Sequence, residues 1–197
     1  MNNFIIAIVL ATLCAPCSAQ QISPQGEFAE IRVSEQNQVL EKLLEGDEST
    51  IDKVLSSSEK YSPPVLYVLS NALFNKNRKD EAMFWFYTGQ LRARSDANKS
   101  LDISARQAVA ALNDKFGPPI NLYAFTDIPK LKNVVADVVK QDAGVVRGYD
   151  PRWISLHGMD AFLKTKIAFE PEEKWAKIND NTRNEYLDGF RKAMSGM

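Results

Sequence analysis

Cysteine and histidine are the scarcest reactive residues in this chain: its 197 residues include two cysteines, Cys14 and Cys17, and one histidine, His157. Both cysteines fall within the first 19 residues. The remainder therefore has no thiol for a disulfide, a Cys-rich zinc site or a Cys-His pair, and one imidazole is too few for a multi-histidine metal site. A Ser-His-Asp triad would have to be built on His157, whose neighbours Ser155 and Asp160 do not form a G-x-S-x-G elbow. There is no P-loop, no G-x-G-x-x-G and no EF-hand loop; Asp47-Glu48 and Asn179-Asp180-Asn181 are short polar turns without the spaced ligands that calcium needs. No catalytic residue, cofactor or metal ligand is assigned on this basis. An excess of either charge is missing too, with 24 basic residues interspersed among 25 acidic ones. That balance provides no electrostatic reason to expect nucleic acid or an anionic membrane as partner.

What the chain does have begins with a leader. Met1–Ala19 reads as a secretory signal: Phe4 to Leu13 is an apolar run of the right length, and Ala15, Pro16, Ser18 and Ala19 supply the small and helix-breaking residues of a cleavage region after Ala19. The n-region, Met1-Asn2-Asn3, departs from the pattern by having no Lys or Arg. A retained anchor is the alternative, against which Pro16 and the shortness of the run both count. The preceding residues, Leu13 and Pro16, are not the small residue of a lipobox. The expected location is periplasmic or secreted. Because the mature chain would have no cysteine, its stability would rest on its core alone.

Residues 20–33, with Pro24, Gly26 and little periodicity, are expected to form a flexible lead-in, and 34–197 a single domain. Ser34 is placed to cap a helix bearing Val39, Leu40, Leu43 and Leu44 and ended by Gly46, and Ser49 to Asp52 has capping-box form. Ser62-Pro63 starts the next helix, with Val65, Val68, Leu69, Ala72 and Leu73 in one apolar stripe. Asn75 to Lys79 is its turn, and Asp80 is placed to cap a helix in which Ala82 to Tyr87 is apolar nearly all round. Such a helix belongs in the middle of a bundle; strand propensity of MFWFY is opposed by the helix formers beside it.

Ala105 to Phe116 gives another stripe, with Gly117 and Pro118-Pro119 as its stop, and Ile120 to Phe125 a separate short segment. Leu131, Val134, Val135, Val138 and Val139 follow a helical spacing in spite of four valines. Asp150-Pro151 and Pro171 each start a helix, and Thr182 to Glu185 caps a last one after an interruption at Asn179-Asp180-Asn181. The fold class predicted is all-α, an irregular bundle of about eight helices.

The hairpin at 62–95 resembles a single tetratricopeptide unit. With Asp80-Glu81-Ala82 set on the Asp-Glu-Ala that commonly opens the second helix of that repeat, Leu66 and Leu69 fall on its large positions and Ser70 on a small one. Phe86 falls on the aromatic of the second helix and Gly89 on its small contact residue, while FWFY is similar to Sel1-type repeats. The proline that often closes a unit is absent, Arg94 standing near its place. The resemblance implies a protein-interaction scaffold whose inner groove is lined by Tyr67, Asn71 and Asn75.

Two further candidate surfaces come from the residues themselves. Gln90, Arg92 and Arg94 follow the aromatic run and are read as its exposed side. Tyr149, Arg152, Trp153 and His157 gather on or near one helix, combining the residue types that anchor interfaces. Set against each is a plainer reading: a solvated helix face in the first case, and in the second a core Trp153 with His157 partnered by Asp160. The expected function is an extracytoplasmic protein-binding domain with a protein partner, an inhibitor or immunity protein being one concrete form. An envelope hydrolase using a carboxylate pair such as Glu172 and Glu173 is the alternative.

Overall fold

A computed structural model describes residues 24–31 and 36–195. The leader, both cysteines and the proposed Ser34 cap lie outside the described residues. The fold is all-α. Among the described residues eight α-helices run in the order α1 (Asn37–Glu45), α2 (Glu48–Ser56), α3 (Pro63–Asn75), α4 (Lys79–Lys99), α5 (Gln107–Ala124), α6 (Ile128–Ala143), α7 (Asp160–Leu163) and α8 (Trp175–Ala193). Short 3-10 turns join several of them. Among the described residues there is no strand, only an isolated antiparallel bridge between Ser100 and Phe169.

Helix α4 is the axis of the bundle, packed against α3, α5, α6 and α8. Its residues from Trp85 to Ala93 are all buried, as the run of aromatics predicts. The α3–α4 turn closes at Asn77, which takes a left-handed φ of 63°, a conformation asparagine tolerates better than most side chains. Arg78 N–H then donates to the Leu73 carbonyl at 2.9 Å. Gly89 lets α4 approach α3 closely, since a Cβ there would stand 3.2 Å from the Tyr67 ring. Gly46, at φ 76°, ends α1 where the sequence places that end.

Several helix boundaries differ from expectation, each for a local reason. Asp47, not Ser49, caps α2, accepting from Thr50 N–H at 2.7 Å. Helix α4 begins one residue before Asp80, whose carboxylate instead accepts from the Tyr123 hydroxyl at 2.7 Å and Lys130 Nζ at 3.0 Å. Pro118 and Pro119 do not stop α5, which continues through both to Ala124. Phe116, Ile120 and Ala124 are buried on either side of them, and the carbonyls deprived of a donor belong to Asp114 and Lys115, exposed residues where water can bind.

Helix α8 likewise runs uninterrupted through 179–181. Asn179 Oδ1 accepts from Ser95 Oγ at 2.5 Å, and Thr182 Oγ1 bonds back to the Ile178 carbonyl at 2.8 Å, so these turn-forming residues spend their side chains on α4 and on the helix itself. At the other end of the chain, part of the expected lead-in is docked. Gly26–Glu30 is a 3-10 turn with Phe28 buried; Glu27 N–H donates to the Thr165 carbonyl at 2.9 Å, and its carboxylate accepts from Ile167 N–H at 2.9 Å.

Candidate functional site

The inward face of α4 carries charge. Arg92, Asp96 and Lys99 follow one another at spacings of four and three, so they share a face, and all three are buried. They meet Asp142 from the last turn of α6, Arg147 from the segment that follows, and Arg183 from α8. Asp142 accepts from three guanidiniums: Arg92 Nε at 3.0 Å, Arg147 Nη2 at 2.7 Å and Arg183 Nη1 at 2.9 Å. Asp96 accepts from Lys99 Nζ and from the Trp153 indole N–H, each at 2.9 Å, and lies 3.7 Å from Arg147 Nη1. Arg92 also donates to the Ser58 carbonyl at 3.0 Å.

Burial and charge oppose each other throughout this cluster. Desolvation alone would raise the Asp142 pKa, but Arg147 and Arg92 outweigh it and hold the carboxyl down at about 2. Burial lowers the Lys99 pKa, with Asp96 opposing and Arg147 adding to the shift. The Tyr149 phenol is raised well above its ordinary value by burial and by Asp96. Its hydroxyl and Arg147 Nε have no hydrogen-bond partner among the described residues. Two cavities, of about 720 and 380 Å³, meet at Arg147, Tyr149, Pro151, Glu172 and Trp175.

The structure separates the residues singled out from sequence. Gln90 and Arg92 are not on an exposed face: Gln90 is buried between Asn113, to which it donates at 2.9 Å, and Tyr186, from which it accepts at 2.8 Å. The cause is that α5 and α8 cover the face of α4 that carries Gln90, and α6 the face that carries Arg92, so these two polar residues meet other polar groups and not water. Arg94 is exposed, its guanidinium 5.1 Å from the centroid of the Tyr186 ring. Tyr67 is fully buried and donates to Asn113 Oδ1 at 2.7 Å, because α5 covers the face where a repeat's groove would open. Asn71 is half-buried and Asn75 exposed.

In the other constellation, residues 151–157 form a 3-10 turn and not an α-helix, capped by Asp150, which accepts from Arg152 N–H at 2.9 Å. Trp153 is core and Tyr149 is buried, while Arg152 is half-exposed and forked onto Asp150. His157 stacks edge-on against Trp153 at 5.7 Å. Burial lowers its pKa, although part of the residue remains exposed. The Asp160 carboxylate pairs with Lys164 at 2.8 Å. An apolar groove of about 400 Å³ lies beside this turn, bordered by Leu40, Pro64, Leu112, Trp153 and His157.

Among the residues that sequence reasoning missed, Asp96 and Lys99 carried a signal in their common face with Arg92 on the most apolar helix. Asp142, Arg147 and Arg183 carried none, since each lies on a different element. The other missed feature is an exposed apolar surface. Leu101, Ile103, Met159, Phe162 and Leu163 are each 55–72% exposed, on two segments joined through Asp102 and Ser104. Ser104 Oγ accepts from Met159 N–H at 2.8 Å, and the Asp102 carboxylate accepts from Asp160 N–H and Ser104 N–H, both at 3.0 Å. Gly158 permits the approach: a Cβ there would be 2.1 Å from Asp102 Oδ2.

Among the described residues no cluster of three or more His, Cys, Asp or Glu side chains gathers to hold a metal. No helix in the described region is long and apolar enough to cross a membrane. No protein-family model matches the chain, and no curated protein or solved structure matches it.

Proposed function

We propose that this chain is an exported helical domain, periplasmic in a bacterial setting, that works by binding another protein. The observation that carries the reading is the exposed apolar surface at 101–103 and 159–163. Large apolar side chains grouped at a protein surface mark interaction sites when they adjoin one another. Here both segments are fixed by side-chain and backbone hydrogen bonds through Asp102 and Ser104, so little ordering cost remains for binding. The leader Met1–Ala19 supports export. The α3–α4 hairpin, with Gly89 packed on Tyr67, supports kinship with tetratricopeptide-type or Sel1-type scaffolds, and an inhibitor or immunity-type role is one concrete form of the activity.

The hydrolase alternative has no comparable support. Glu172 and Glu173 are both exposed in a 3-10 turn, and the two carboxylates buried in the central cluster, Asp96 and Asp142, are bound to cations. The test is recovery of the C-terminally tagged protein from the periplasmic fraction of its native host. A single stoichiometric protein partner should copurify with the wild-type chain and be lost from the Phe162→Ser, Leu163→Ser double variant. Recovery of folded, partner-free protein at every salt concentration would overturn the proposal.

A further inference from the structure

The charges buried around Asp142 do not balance. Arg92, Lys99, Arg147 and Arg183 face Asp96 and Asp142, and among the described residues only Arg183 reaches a further carboxylate, that of Asp180 at the surface. Even with Asp180 counted, the ion-paired groups are one negative charge short; Glu172, which also borders the adjoining cavity, is exposed and pairs with none of them among the described residues. An uncompensated charge removed from water is costly. Arg147 and Tyr149 line the adjoining cavity as side chains more than nine-tenths buried, and Arg147 Nε and the Tyr149 hydroxyl have no hydrogen-bond partner among the described residues. Buried donors in folded proteins nearly always have acceptors. Lys99, Arg147, Tyr149 and Arg183 all border the 380 Å³ cavity, which is of a size that takes a small molecule.

We propose that this cavity binds a small monocarboxylate, with the carboxylate set against Lys99, Arg147, Tyr149 and Arg183 and the body of the ligand against Trp175. One negative charge completes the balance. A dianion such as phosphate is disfavoured, because Glu172 and Asp180 line the same cavity and no additional cation is there to offset a second charge. Trp175 is held in place by its indole N–H, which donates to the Glu170 carbonyl at 2.7 Å, and by the Phe169 ring edge-on at 5.8 Å. Lys99 Nζ lies 5.6 Å from its ring centroid. An aromatic face beside a cation suits a ring that bears a carboxylate, as in a uronic acid or an aryl acid. None of the apolar residues at 101–103 and 159–163 lines this cavity, so the assignment is independent of protein binding.

Isothermal titration of the intact protein at neutral pH with glucuronate, benzoate, glucose and inorganic phosphate is the test. At least one of the two carboxylates should bind saturably with Kd below about 1 mM, with phosphate about tenfold weaker and glucose silent. Tyr149→Phe removes one oxygen and keeps the packing; it should weaken the carboxylate by about fivefold without lowering the unfolding midpoint. Glu172→Gln should tighten it. Absence of binding by both carboxylates up to about 20 mM overturns the proposal, as does glucose or phosphate binding equally well, or an unchanged affinity in Tyr149→Phe.

Discussion

Replacing Asp142 with asparagine asks how much of the fold rests on the buried ion cluster. Asp142 receives three guanidiniums at 2.7–3.0 Å with its side chain fully out of water. The isosteric amide leaves Arg92, Arg147 and Arg183 turned towards a neutral group that also presents a donor of its own. Stranding buried charge in this way costs roughly 3–5 kcal/mol, a large share of the roughly 5–15 kcal/mol that holds a domain folded. Proton linkage gives the electrostatic part separately. The carboxyl is held at about 2 against an ordinary value of 3.8, a difference corresponding to about 2 kcal/mol. Because the folded pKa is the lower one, this stabilisation is present above the unfolded value and is lost as the pH falls through about 2. Urea unfolding and thermal melts followed by circular dichroism provide the assay. Asp142→Asn should melt roughly 6–20 °C lower at neutral pH, and its stability should fall less than that of wild type between about pH 4 and pH 2. A loss below about 1 kcal/mol at neutral pH would refute the reasoning, since it would mean that the three guanidiniums do not depend on this carboxylate.

Three smaller perturbations probe other parts of the fold. Gly158→Ala drives a methyl group into Asp102 Oδ2, so it should cost roughly 1–3 kcal/mol in a urea titration and weaken partner capture, because it separates the two apolar segments; full retention of both would count against that surface. Pro118→Ala restores a helical N–H donor in α5 at an exposed position, and should raise stability by about 1–2 kcal/mol after the entropy lost from the proline is discounted; a lower melting temperature would show that the proline is needed for the path of α5. Tyr67→Phe deletes the bond to Asn113 Oδ1, which still receives Gln90 Nε2, and should cost about 1 kcal/mol while leaving partner capture intact, in contrast to what a groove-lining Tyr67 would show.

The legible part of this fold was the part governed by apolar period and by chain stops that nothing overrides. Gly46, Ser62-Pro63 and Asp150-Pro151 mark boundaries that the structure keeps, and the stripe from Leu131 to Val139 is a helix despite its valines. Local signals failed where a tertiary partner paid more than the local preference cost. Pro118-Pro119 breaks a helix in isolation but not one clamped at Phe116, Ile120 and Ala124; Asn179 and Thr182 favour turns until Ser95 and Asn98 bond to them from α4. The candidate sites were read less well for a related reason. Gln90, Arg92, Tyr67 and Trp153 have the polar or amphipathic chemistry of a binding surface, and all four use it internally.

That internal use also accounts for how a domain whose described residues contain no cysteine holds its second half together. Residues 144–148 contribute little apolar burial, with Gly144, Val146 and Gly148 exposed. The segment is instead drawn onto α4 and α8 by Arg147, whose guanidinium lies against Asp142, Asp96 and Asn179 at once. Directional pairing of this kind fixes one arrangement of α4, α6 and α8, since a slip of one residue on any helix would strand a buried charge. The same argument explains why the cluster combines a structural role with an incomplete charge balance. Asp142 supplies three of the pairings that the fold requires, while Arg147 and Arg183, which hold it, also line the cavity, so one set of cations serves both the fold and the proposed ligand.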